Sequence, residues 1–221
     1  MSTNTAAFVR DRLGHVPKDV ALFERALTHS SIGKDSYERL EFLGDRVLGL
    51  VIARWLYETH EGEPEGKLSR RYNALVAREA CAEVGRKIGL PEHILLGKQA
   101  REDGASQSDN VIGDVVEALI GALLLDGGLD AAEAFIRSAW AEYLEGQGRA
   151  PQHPKSALQE LAAARNMAAP VYKTIGRTGP HHAPRFTVKA SIRHHGEAEA
   201  DGASKQEAET AAAAALLSKL S

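Results

Sequence analysis

Apolar residues in the front two thirds of the chain recur at helical spacing, and almost nowhere with the period of two that marks a strand. The pattern predicts helices over Val20–Thr28, Arg39–Tyr57, Lys67–Gly89, Val111–Asp126 and Ala131–Leu144, punctuated by Gly, Pro and Asp. Asp126-Gly127-Gly128 reads as a stop followed by a restart. From Gly146 to Pro154 there are two glycines, two prolines and no apolar period, which predicts a linker. Behind it the pattern changes. Lys155–Asn166 reads as a helix and Val171–Arg177 as a strand. Arg185–Arg193 alternates strictly, with Phe186, Val188, Ala190 and Ile192 on one face and Thr187, Lys189 and Ser191 on the other. A shorter strand spans Gly196–Ala203. Ser204 then caps a helix running to Leu220, with Glu207 at the capping-box position. The expected architecture is an all-α unit over 1–145, a linker over 146–152 and an α-β-β-β-α unit over 153–221.

Two of the predicted helices carry carboxylates where burial is expected. Leu40 through Ala53 is apolar on nearly every face except at Glu41, Asp45 and Arg46. Glu38, Glu41 and Asp45 fall within roughly 60° of one another on the helical wheel, so they form one acidic stripe. In Val111–Leu125, Asp114 and Glu117 are the only charged residues, and they lie side by side at i, i+3. A buried carboxylate costs several kcal/mol, and a like-charged neighbour adds to that cost. A proton, a basic partner or a cation must offset it. Arginines such as Arg39, Arg46, Arg70 or Arg71 could neutralise either stripe alone. Two stripes on two apolar helices favour a metal site, and oxygen-only donors suit Mg²⁺, with Mn²⁺ as a substitute. Two such ions would balance four carboxylates and serve phosphodiester displacement. His29, His60 and His93 form no ligand cluster on either helix and read as structural or exposed.

Charge sharpens this division. The chain carries a formal net charge of −3, but residues 152–221 hold nine Lys/Arg against six Asp/Glu, whereas 1–151 hold eighteen against twenty-four. An acidic front and a basic back suit a cation site and a polyanion-binding surface, respectively. Cys81 is the single cysteine, which excludes an internal disulfide and a thiolate zinc site and suits a reducing cytoplasm. No opening stretch reads as a secretory signal, and the most apolar run, Val115–Leu125, is too short for a membrane span and contains Glu117.

Glu38-Arg-Leu-Glu-Phe-Leu-Gly-Asp45 closely resembles the signature helix of ribonuclease III. Ala26–Ser31, Glu65–Ser69, Asp114–Ala122 and Leu125–Gly128 resemble further family segments, in family order, and together they cover nearly the whole front unit. The resemblance implies an endoribonuclease that cuts double-stranded RNA, leaving 5′-phosphate and 3′-hydroxyl ends with short 3′ overhangs. It also implies processing of ribosomal precursors and some messenger and transfer RNAs. Glu41, Asp45, Asp114 and Glu117 would hold the ions, with Glu38 and Glu65 near the cleavage site. It implies a homodimer in which Phe42 and Gly44 lie at the interface, and no small-molecule cofactor.

The rear unit resembles a double-stranded-RNA-binding domain over 153–221, a module that reads duplex shape through 2′-hydroxyls and phosphates. The resemblance places Gln159 and Glu160, Pro180 and His182, and Ser204 and Lys205 on the three RNA-facing surfaces. Ala200 and Gln206 depart from the family's glycine and second lysine, and Glu207 and Glu209 reduce the charge further. Two other readings differ in class. A non-catalytic RNA-binding protein with a retained nuclease fold should have lost acids at the metal positions. A hydrolase of small phosphorylated molecules would not need the basic rear unit.

Overall fold

The computed structural model describes residues 2–146, 153–180 and 184–220. The chain forms two compact units, Met1–Pro151 and Gln152–Ser221. The front unit is helical: α1 (Ser2–Leu13), α2 (Val20–Ala26), α3 (Glu38–Thr59), α4 (Glu65–Leu75), α5 (Arg78–Lys87), the short α6 (Lys98–Glu102) and α7 (Asp109–Gly146), with two 3₁₀ turns around α6.

Helices α3 and α7 make up the centre of the unit. Along α7, Ile112, Val115, Val116, Leu119, Ile120 and Leu123 are fully buried, which explains its near-continuous apolar sequence. The helix breaks at Gly128, whose φ of 79° lies in the left-handed region that glycine enters without penalty. The expected stop at Asp126–Gly128 is therefore a kink between two consecutive helical segments. Glycine also sets how closely the helices approach. A Cβ at Gly44 would lie 1.7 Å from the Glu117 carbonyl oxygen, and one at Gly121 would lie 2.3 Å from that of Leu40. The α3 and α7 backbones therefore touch directly, and their acidic stripes face the same region.

Two expectations need correction. Gly44, expected between subunits, is buried against α7 of its own chain, because only a residue without a side chain fits that crossing. The helix expected over Lys67–Gly89 is two helices, divided where Ala77 adopts extended φ/ψ of −63° and 146°. Neither Gly nor Pro marks that division. It leaves the Leu75 carbonyl to accept the buried Trp140 indole N–H at 2.8 Å, a contact across 65 positions. Helix α1, ahead of the helices predicted from the sequence, buries Phe8, Val9 and Leu13.

In the rear unit α8 (Pro154–Ala164) precedes a three-stranded antiparallel sheet in the order β1 (Val171–Thr178), β2 (Arg185–Ile192), β3 (Gly196–Gly202), and α9 (Lys205–Leu220) closes it. Val188, Ala190 and Ile192 point into a separate core with Leu158, Ala162, Ala212 and Leu216, as the alternation requires. The Ser204 hydroxyl accepts the Glu207 N–H at 3.1 Å, while the Glu207 carboxylate accepts the N–H of Ala203, one residue before the cap, at 2.8 Å, a variant of the capping box.

Candidate active site

The site begins where α3 starts. The Tyr37 carbonyl accepts the Leu40 and Glu41 N–H groups at 2.8 and 2.9 Å, which sets the first turn and projects Glu41 toward α7. There Asp114 and Glu117 stand one turn apart, each half-buried. Burial, Glu41 and Asp114 push the Glu117 carboxyl up to about 7. Asp114 is raised by burial, and Glu41 is raised by burial, then by Asp114 and Glu38. The same surroundings push the Tyr37 phenol upward, so it keeps its proton and donates to Asp114 Oδ2 at 3.3 Å.

Among the described residues no lysine or arginine is ion-paired with Glu41, Asp114 or Glu117. Arg78 lowers all three only as a nearby charge, and Arg46 does the same for Glu117. Arginine neutralisation therefore does not account for this cluster. Asp45 differs. It lies on the acidic side of α3 with a side chain 40% exposed, and its carboxylate pairs with the neighbouring Arg46 guanidinium. Among the described residues no three acidic, imidazole or thiol groups converge tightly enough to form a finished coordination sphere. The donor chemistry still suits a hard divalent cation: Glu41 on α3 and Asp114 and Glu117 on α7 are half-buried carboxylates that lack a paired base.

Glu38 is exposed at the start of α3, close enough to act on Glu41 by charge. Glu65 is exposed in the first turn of α4, and its carboxylate accepts the Ser69 hydroxyl at 2.6 Å. Phe42 is 66% exposed, beneath the Arg46 guanidinium at 5.1 Å. Three neighbours of the carboxylates escaped sequence reasoning: Tyr37, Arg78 and the buried Cys81, whose Sγ lies 4.0 Å from Glu117 Oε1. Tyr37 stands one turn before Glu41, but Asp114 is 77 positions from it and Glu117 is 36 from Cys81, so no local pattern links them to the α7 acids. Only the folding of α5 and the start of α3 against α7 brings them there.

In the rear unit Gln159, Glu160, Pro180, Ser204 and Lys205 are all exposed. His182 lies outside the described residues. The starts of α8 and α9 adjoin: Pro154, Ser204, Gln206 and Glu207 line one open hollow, and Lys155 Nζ pairs with Glu209 at 2.6 Å. That pair leaves less positive charge at the α9 N-terminus than the sequence count suggests.

A family model described as ribonuclease-III-like matches residues 19–144, and one described as a double-stranded RNA binding motif matches 154–220. Ribonuclease 3 of Zymomonas mobilis is 60% identical over 211 residues, covering 96% of this chain and 86% of that protein. The Ribonuclease 3 of Rhodopseudomonas palustris is 45% identical over 223 residues, covering 99% and 82%. The nuclease domain of ribonuclease III from Campylobacter jejuni matches with a TM-score of 0.59 at 34% identity, covering 62% of this chain and 95% of that one. The chain belongs to the ribonuclease III family, as an endoribonuclease whose helical nuclease domain precedes a double-stranded-RNA-binding domain.

Proposed function

We propose that this enzyme hydrolyses phosphodiester bonds in double-stranded RNA with Mg²⁺, or Mn²⁺ in its place, held by Glu41, Asp114 and Glu117. Asp45, which pairs with Arg46 in the structure, would be the fourth carboxylate to hold it. The observation that carries this reading is Glu117, half-buried beside two other acids, raised to about 7 and paired with no base. A divalent cation bound there supplies charge neutralisation at the phosphate and lowers the pKa of the attacking water. The chain's own residues do the rest. Helices α3 and α7 fix the spacing of the carboxylates, and Glu38 and Glu65 flank the approach. Lys205, Ser204 and the α9 N-terminus meet phosphates, while Gln159, Glu160 and the Pro180–His182 segment lie along the minor groove.

A homodimer places one such site on each RNA strand, which gives 5′-phosphate and 3′-hydroxyl ends with short 3′ overhangs. Phe42, Leu50 and Tyr57 support it: all three project from one side of α3 and are more than half exposed. The Campylobacter jejuni nuclease domain, whose structure was reported for flexibility in its dimer-forming region, is consistent with the same association. Processing of ribosomal precursors and messengers in the cytoplasm is the corresponding cellular role.

The test is Glu117→Gln, assayed on a long perfect RNA duplex with and without Mg²⁺. Cleavage falls about a hundredfold or more while duplex affinity is unchanged, since a ligand is lost but the RNA-facing surface is not. Cleavage at close to the wild-type rate would remove Glu117 from the metal site.

A further inference from the structure

Tyr37 is only 4% exposed, although it carries a polar hydroxyl and sits one residue before α3. That hydroxyl crosses 77 positions of sequence to donate to Asp114 Oδ2 at 3.3 Å. It is the sole side-chain hydrogen bond to Asp114 among the described residues. The phenol is itself held from several directions. Its backbone N–H donates to the Thr28 carbonyl at 2.9 Å, and its own carbonyl starts the turn that carries Glu41. The His29 ring meets its ring edge-on at a centroid distance of 5.8 Å. His29 is fixed in turn, because its Nδ1 accepts the Ser31 N–H at 3.0 Å and lies 2.8 Å from the Ser31 hydroxyl. That hydroxyl also accepts the Gly97 N–H at 2.9 Å, which ties the group to the loop before α6.

We propose that Tyr37 is a positioning residue of the metal site: by holding one carboxylate oxygen of Asp114, it sets the rotation of that side chain and leaves the other oxygen to the cation. This rests on the metal-site reading above. Physical chemistry favours a phenol in this place. A lysine or arginine would orient Asp114 equally well but would cancel its charge and compete with the ion. A neutral O–H orients the carboxylate and leaves its charge for the metal, as the hydrogen-bonded outer partners of metal-bound carboxylates do. Tyr37 also shapes the first turn of α3, so one residue sets the relation between an α3 ligand and an α7 ligand.

The decisive experiment compares full-length wild type, Tyr37→Phe and Glu117→Gln for Mn²⁺ binding without RNA, by electron paramagnetic resonance. In parallel, cleavage is followed against Mg²⁺ concentration, and melting in EDTA reports folding. Tyr37→Phe keeps the ring and its packing. Its Mn²⁺ affinity is expected to fall about tenfold, and its half-saturating Mg²⁺ to rise by a similar factor. Saturating Mg²⁺ should restore most of the turnover, and the EDTA melt should change little. If Glu117→Gln loses Mn²⁺ while Tyr37→Phe binds it with wild-type affinity, the positioning role is wrong and the metal site stands. Mn²⁺ binding that ignores Glu117 sinks both. A Phe variant whose loss of affinity only tracks a lowered EDTA melt assigns Tyr37 to packing and overturns the proposal as well.

Discussion

Glu117 joins stability and function in one side chain. Its pKa in the fold, about 7, stands above the ordinary glutamate value near 4.3, so the native state favours the protonated form. The stabilisation this brings is complete below the ordinary carboxylate range and is lost as pH rises through 7. Glu41 and Asp114 shift in the same direction and add to the effect. Asp126, Glu133 and Glu63 shift the other way, so what they contribute is lost only at acid pH, outside this window; His93, lowered by burial, opposes the trend on its acid side. In EDTA the melting temperature should therefore fall between about pH 5 and about pH 8, and Mg²⁺ should raise it more at the higher pH. Thermal melts at both values check this, with Glu117→Gln flattening the slope. A metal-free protein equally stable at both would contradict the assigned cluster. The acids were legible from the sequence because charge on an apolar helix is conspicuous. Tyr37 and Cys81 were not, since each stands among polar and charged neighbours and its partner acid on α7 is far away along the chain.

At the level of elements, the site depends on how α3 crosses α7. Glycine at 44 and at 121 allows backbone contact, and that contact carries Glu41 to Asp114 and Glu117. Gly44→Ala would force a methyl group into the Glu117 carbonyl. It should cost about 3 kcal/mol in urea unfolding and weaken Mg²⁺-dependent cleavage, because the helices must separate. Gly33→Ala, where nothing lies within 4 Å of the added carbon, is the control and should leave both unchanged. Wild-type stability of the Gly44→Ala protein would mean the helices can part without cost. The glycines were visible in the sequence, but their partner was not: close approach within one chain and between two chains leaves the same trace in one dimension. Phe42 keeps its exposed place on the same helix, two positions before Gly44.

For the whole molecule, charge is divided between two units with separate cores. On the proposed reading the acidic nuclease unit would attract a divalent cation, and the basic rear unit suits a polyanion. Removing residues 152–221 should weaken duplex binding about a hundredfold or more at physiological salt, since several phosphate contacts are lost together. Cleavage by the remaining unit should reappear at low salt, where each remaining contact counts for more. Filter binding and product sizing across a salt series measure both. A truncated enzyme with full affinity at physiological salt would place the RNA-binding surface in the front unit instead. No helix among the described residues is long and apolar enough to cross a membrane.

The sequence alone determined the elements that obey local rules. Two carboxylate stripes, the α-β-β-β-α order, the Ser204 cap and the break at Gly128 all follow from periodicity, capping and backbone freedom within a few residues. Tertiary structure decided what depends on distant partners. It divided α4 from α5 where Leu75 meets Trp140, turned Gly44 toward Glu117 of its own chain, paired Asp45 with Arg46 and set Tyr37 on Asp114. The physical reason is range: helix propensity and burial pattern act between neighbours along the chain, whereas the ionisation and orientation of a carboxylate are set by whichever groups the fold brings within a few ångströms of it.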